Sequence, residues 1–249
     1  MIIIKNSREI DYMKESGRLV GETLNLVKSH IKPGVSTMEL DKICEEFIVK
    51  HGATPSFKNY NGFPGSVCAS VNEVVVHGIP SKEKILKEGD IITIDCGAYL
   101  NGFHGDAART FRVGQVSEET DRLIRITKES FFKGVEQVNL GQRLGDVSHA
   151  IQTHIESNGF SVVRDFTGHG IGRDLHEGPS IPNYGVANRG PKLRVGMALA
   201  IEPMVNLGTY HVKVLEDNWT TVTRDGMLSA HYENTVILTE NGPVITTLV

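Results

Sequence analysis

Asp95 and Asp106 flank an Asn101-Gly102 dipeptide, with the apolar, β-prone run Ile91-Ile92-Thr93-Ile94 before them. Asn-Gly after such a run is a strong hairpin signal, because both central residues of a type I′ turn need positive φ. A two-residue loop there makes cross-strand partners whose numbers sum to 203, so Gly97 faces Asp106 and Ala108 faces Asp95. The two carboxylates then share one face as diagonal neighbours, roughly 7–8 Å apart at Cα. At that range they repel unless a proton or a cation lies between them. Gly97, with no side chain, is expected to leave room for a cation.

Three more residues carry the same chemistry. His169 sits among glycines in Phe166-x-Gly168-His169-Gly170-Ile171-Gly172. Glu202 interrupts the apolar run Ala200-Ile201-Glu202-Pro203-Met204, and Glu233 precedes Val236-Ile237-Leu238. Buried acids require partners. Singly, each residue has an ordinary reading as a structural histidine, an ion-paired acid or a solvated aspartate. Together they are four carboxylates and one imidazole, with no arginine or lysine placed among them. Two divalent cations would supply the missing charge. Oxygen-rich ligands with one imidazole suit Mn²⁺, Fe²⁺, Co²⁺ or Zn²⁺ alike. Two such ions roughly 3.5–4 Å apart, bridged by water, form a hydrolytic centre.

The rest of the chain must position this set. Its 249 residues allow one large domain or two small ones. An apolar fraction of 39%, a charged fraction of 22% and a net charge of −4 describe a globular protein with no basic footprint for nucleic acid. Cys44, Cys68 and Cys96 form no CxxC pair, which argues against a disulfide framework and fits a reducing, cytoplasmic compartment. Cys68 and Cys96 are read as structural thiols near the site. Met1-Ile2-Ile3-Ile4-Lys5 is too short for a signal peptide or a spanning helix, so no membrane is expected.

An internal repeat is visible. Leu86-x-x-Gly89-x4-Ile94-Asp95 recurs as Leu193-x-x-Gly196-x4-Ile201-Glu202, and the same offset of 107 maps Gly34 onto Gly141 and Gly52 onto Gly159. The first half predicts a helix over residues 8–31 capped by Ser7 and a second from Ser36-Thr37 to Lys50, with Glu39 completing a capping box. A Val-rich stretch over 66–79 and the hairpin follow. The second half predicts helices over about 117–138 and 144–157, then strands near 161–167, 198–206 and 230–238. Neither half covers both faces of its sheet. The expectation is therefore an α+β fold, one catalytic domain over 1–249 with repeats at about 7–106 and 114–249. Two halves related by a pseudo-twofold axis would place helices outside a central antiparallel sheet, with Asp95 facing Glu202 at the junction.

Phe166-x-Gly168-His169-Gly170-Ile171-Gly172-x3-His176-x4-Ile181-x-Asn183-Tyr184 resembles the motif of type I methionine aminopeptidases, which have the pita-bread fold. The resemblance runs from the first helix to Glu233. The stretch between His169 and Glu202 is too short for the helical insertion of type II enzymes, and no N-terminal extension of the eukaryotic cytosolic kind is seen, so the compact bacterial form is the nearest match. It implies Asp95, Asp106, His169, Glu202 and Glu233 as ligands of two divalent ions (Co, Mn, Fe or Zn). It implies that His77 lies on the leaving-group side of the scissile bond, that His176 hydrogen-bonds the carbonyl, and that Glu202 also shuttles the proton. It implies a methionine pocket of Phe57, Tyr60, Phe63, Cys68, Leu175 and Trp219. Phe57 stands where some relatives have Cys, Leu175 where Phe is common, and His231 where Gln is frequent. His231 is left as either tuning Glu233 or contacting solvent. His30, His51, His104, His149, His154 and His211 are given no site role.

The implied activity is removal of N-terminal methionine from nascent polypeptides whose second residue is small. The implied protein is a cytoplasmic monomer, with ribosome association left open. Two alternatives remain. An X-Pro aminopeptidase or dipeptidase of the same fold usually carries a large extra N-terminal domain. A non-enzymatic binding protein on this scaffold typically loses ligands, whereas here all five positions are filled.

Overall fold

The structure, a computed structural model, describes residues 1–249. Four helices carry the outer layer: α1 (Ser7–Lys28), α2 (Thr37–Lys50), α3 (Glu118–Val135) and α4 (Leu144–Ser157). α1 begins one residue earlier than expected. Asn6, not Ser7, is its N-cap, accepting the Glu9 N–H at 3.1 Å while the Glu9 carboxylate accepts the Asn6 N–H at 3.0 Å. It ends at Lys28, short of Ile31, where Ser29 closes the last turn. The box of Ser36 and Glu39 opens α2 as expected, and Ser117 caps α3, which stops at Val135 rather than Val138. Each cap is worth about 0.5–2 kcal/mol, enough to set where a helix starts.

The hairpin has the expected register. Strands Ile91–Leu100 and Phe103–Arg112 pair antiparallel with Gly97 opposite Asp106 and Asp95 opposite Ala108, and the turn residues Asn101 and Gly102 have φ of 53° and 85°. Strand Val67–Val71 lies on the other side of Ile91–Leu100, with Cys68 opposite Asp95. The Val-rich stretch is two strands, Val67–Val71 and Val74–Val76, broken at Asn72, whose φ is 56°.

A long antiparallel ladder crosses the second half. Ala198–Ile201 pairs with Asn234–Thr239, and Met204–Asn206 pairs with Ser229–His231. The first pairing belongs to a five-stranded sheet that includes Thr167–Gly170, the second to a three-stranded sheet. At the step between them each expected strand, 198–206 and 230–238, is broken. Pro203 has no N–H to give the ladder, and its carbonyl accepts the Tyr232 N–H at 3.2 Å. Both glutamates of interest, Glu202 and Glu233, occupy this break.

The hairpin docks at the same place. The Glu233 N–H donates to the Ala108 carbonyl at 3.0 Å, and the Asp106 N–H donates to Thr235 Oγ1 at 3.0 Å. One apolar cluster lies mainly under α1 and α2, around Leu40, Ile92, Ile94 and Cys96; another lies under α3 and α4, around Phe131, Ile151, Leu199 and Val236. A third, with Phe57, Phe63, Cys68 and Leu175, sits between them and forms one wall of the site. No helix is long and apolar enough to cross a membrane.

Candidate metal centre and active site

Asp95 and Asp106 come from the hairpin, His169 from the strand Thr167–Gly170, and Glu202 and Glu233 from the ladder break. All five line one cleft of ≈ 360 Å³. Glycines make this approach feasible: a Cβ on Gly168 would strike the Ala200 carbonyl, and one on Gly170 the Gly178 carbonyl. One ligand atom each from Asp106, His169 and Glu233 lie within 4.8 Å of one another.

The hydrogen bonding at this centre is incomplete. Asp95 Oδ1, Asp106 Oδ1 and Glu233 Oε1 are buried without a partner. His169 Nδ1 lies 2.8 Å from the Gly170 carbonyl, which requires the proton on Nδ1 and leaves the Nε2 lone pair facing inward. That lone pair is 3.9 Å from Asp106 Oδ2 and 3.8 Å from Glu202 Oε1. Burial, with His176 nearby, pushes the His169 pKa down to about 3, so the imidazole is neutral and these are not ion pairs. Acceptors pointing at acceptors in a buried site fit a cation between them.

The carboxylates show the same strain. Burial raises Asp95 to about 7. Burial, then the charges of Asp95 and Glu202, raises Asp106 well above the usual range. Burial and Asp95 do so for Glu202; burial, Asp106, Glu202 and Asp95 do so for Glu233. Arg109, half-buried close by, spends its guanidinium hydrogen bonds on the carbonyls of Ala108 and Glu233 and on Asn234 Oδ1, and its charge tempers Glu233 only as the last of the causes acting there. The donor set therefore fits divalent metal ions.

The same cleft is lined by His77 and His176 and by Phe57, Tyr60, Phe63, Cys68, Leu175 and Trp219. The His176 ring lies 4.2 Å from the His169 ring, tilted by 46°, and its Nδ1 is 2.7 Å from the Tyr60 hydroxyl. His77 is held in a left-handed conformation, φ 59°, with its ring edge-on to Phe166 at 5.5 Å. Such backbone is uncommon outside glycine and asparagine and marks a side chain placed by its surroundings. Burial and His176 lower its pKa to about 4.

Three expectations need correction. The space over Gly97 holds no room for a cation, because a Cβ there would meet Ser56 and the Phe57 ring; the glycine admits Phe57 to the pocket wall. His231 does not contact solvent: it is 1% exposed, with Nε2 3.9 Å from Glu202 Oε2 and both ring nitrogens unpartnered. Cys96 points away from the site into the core under α1 and α2, whereas Cys68 lines the cleft; all three thiols are free and buried. Asn61 also lines the cleft without having been singled out. The Asn59-Tyr60-Asn61-Gly62 run was its signal, since Asn59, Asn61 and Gly62 all take positive φ.

A fold of helices around antiparallel sheets, with a buried acid-and-imidazole cluster at the floor of an apolar cleft, defines a metal-dependent hydrolase of the pita-bread type. Residues 11–240 match the model of metallopeptidase family M24. A methionine aminopeptidase of Clostridium perfringens is 63% identical over 249 residues, covering 100% of both chains. The crystal structure of methionine aminopeptidase from Rickettsia prowazekii superposes with a TM-score of 0.98 at 45% identity, also covering 100% of both. The Xaa-Pro dipeptidase from Bacillus anthracis has a TM-score of 0.78 at 27% identity, and the match spans 98% of this chain but 61% of that one. The chain belongs to metallopeptidase family M24, in its methionine aminopeptidase branch of compact bacterial type I.

Proposed function

We propose that the cleft removes N-terminal methionine from polypeptides whose second residue is small, using Asp95, Asp106, His169, Glu202 and Glu233 to hold two divalent ions. The observation that carries the reading is the meeting, in one cleft, of the unsatisfied carboxylate cluster and an apolar pocket. When bound, Co, Mn, Fe or Zn ions would polarise the scissile carbonyl and acidify a water.

The chain's own groups do the rest. Phe57, Tyr60, Phe63, Cys68, Leu175 and Trp219 receive the methionine side chain, the aromatic edges and thiol suiting a thioether. The Phe63 and Trp219 rings meet edge-on at 5.1 Å and fix the pocket's far wall. The Tyr60 hydroxyl lies 2.7 Å from His176 Nδ1; with the hydroxyl as donor, the imidazole proton sits on Nε2. His176 then donates from Nε2 to the carbonyl oxygen as negative charge develops there. Glu202, a carboxylate lining the cleft, takes a proton from the attacking water and delivers it to the leaving amine. His77, neutral at ordinary pH, lies on the leaving-group side. The substrates are nascent chain N-termini in the cytoplasm, a setting the three free thiols fit.

Peptide choice tests the reading. Met-Ala-Ser is cleaved with release of one free methionine, Met-Lys-Ser hardly at all, and Ala-Pro-Ser not at all. Norleucine at the first position remains a fair substitute, since each missing methylene costs about 1–3 kcal/mol in transition-state binding and norleucine lacks none. An X-Pro enzyme reverses this preference: comparable or better cleavage of Ala-Pro-Ser would transfer the chain to that reading.

A further inference from the structure

His176 and Leu175 stand on a turn, residues 172–177, that leaves the strand Thr167–Gly170 and returns as Glu177–Pro182. One buried carboxylate ties this turn together. Glu177 Oε1 accepts the Arg173 N–H at 2.9 Å across the turn. Glu177 Oε2 pairs with the Lys5 ammonium, and both side chains are 2% exposed. Lys5 lies before α1, in a segment anchored by its own N–H to the Gly196 carbonyl at 2.8 Å and by a parallel bridge from Ile2 to Gly178. Glycines clear its path. A Cβ on Gly172 would collide with the Lys5 side chain and the Glu177 carboxylate, and one on Gly196 with the Lys5 backbone. Other side-chain ties reach the turn: the Tyr60 hydroxyl, 2.7 Å from His176 Nδ1, holds the imidazole but not the backbone that carries it, and Arg173 to Glu9 at 3.1 Å is at the surface, where ion pairs hold little.

A buried ion pair is a poor source of stability, because desolvating both charges offsets their attraction. Its geometric effect is larger: it fixes both ends of a short turn whose penultimate residue is the histidine presented to the cleft. We propose that Lys5 and Glu177 are positioning residues for the hydrolysis, holding residues 173–177 so that the His176 imidazole meets the substrate carbonyl. The proposal rests on the role given to His176 above.

The test uses the full, metal-loaded chain and Met-Ala-Ser. Lys5→Met and Glu177→Gln lower kcat by about 10–100-fold, the scale for a catalytic group displaced by an ångström, with KM within about threefold and metal content unchanged. Lys5→Arg recovers part of the loss. In the His176→Ala background, Glu177→Gln costs less than about threefold more, because the two changes remove one function. Where the single variants fold poorly, Lys5→Met/Glu177→Met replaces the pair by apolar side chains of similar volume; it folds and shows the same kcat loss. Wild-type kcat in that double variant, or an undiminished effect of Glu177→Gln beside His176→Ala, overturns the proposal. Wild-type turnover in His176→Ala alone overturns the role of His176 and the proposal with it.

Discussion

At the scale of single residues the centre is defined by unmet charge. Glu233→Gln removes one negative charge without changing shape. It should weaken metal binding and nearly abolish hydrolysis, while the metal-free variant melts at or above the wild-type temperature because one of four crowded acids is gone. Metal analysis, peptide turnover and a melting curve check this; normal metal content with normal turnover removes Glu233 from the ligand set. His77→Ala and His176→Ala should instead keep bound metal and lose about 10²–10⁴ in rate, the scale of a positioned acid–base or oxyanion group. Loss of metal in either would make that histidine a ligand. The pH dependence of the metal-free chain follows from the same groups. Burial raises Asp95 to about 7, and Asp106, Glu202 and Glu233 are held well above their ordinary values by burial and mutual charge, so between pH 7 and 8 the folded chain retains protons that the unfolded chain has released. Stability must therefore fall as pH rises through that window. His77, His104, His169 and His231, lowered to about 4, 4, 3 and 3 chiefly by burial, and His176, also lowered by burial, are neutral when folded; above pH 7 their unfolded counterparts hold about a quarter of a proton each or less, an opposing slope smaller than that of the four acids. Melting temperatures of the stripped chain should drop from pH 7 to 8 and flatten with saturating Mn²⁺. A rise without metal contradicts the crowding of the acids.

At the scale of elements, the hairpin and the ladder break set the geometry. The hairpin was legible to the residue because strand periodicity is two and an Asn-Gly turn fixes register. The ladder break was not. That Asn234 pairs with Ile201 and Met204 with His231, leaving Glu202 and Glu233 in the gap, depends on a pairing between distant segments. Pro203 was the local hint, since proline is confined to strand ends and bulges. The misreading of Gly97 has the same origin: Ser56 and Phe57 arrive from another strand connection, and no spacing within the hairpin announces them. Two substitutions separate turn from site. Gly102→Ala, at φ 85° with nothing near its added methyl, should cost about 1–2 kcal/mol of stability and leave turnover unchanged. Gly97→Ala meets Ser56 Cβ at 2.7 Å and the Phe57 ring at 3.0 Å. It should lower kcat/KM for methionine peptides roughly tenfold, with metal content intact, by pushing Phe57 into the pocket. Equal effects of the two variants on turnover would contradict this division.

At the scale of the whole molecule, two layers of helices enclose sheets that meet where the hairpin docks onto the ladder, and the chemistry sits at that meeting. Asp95, Asp106, His169, Glu202 and Glu233 were legible as a set because acids without basic partners in apolar runs demand compensation. His231 was not, since its burial beside Glu202 arises only when Ser229–His231 pairs with Met204–Asn206. Calorimetric titration of Mn²⁺ into the metal-stripped chain, with Met-Ala-Ser hydrolysis followed at each ratio, tests the centre most directly. Two ions per chain should bind, activity should rise from none as they do, and Asp106→Asn should lose both binding and turnover. Full hydrolysis by the stripped chain in the presence of chelator, or wild-type metal content and turnover in Asp106→Asn, would contradict a hydrolytic metal centre built on these five residues.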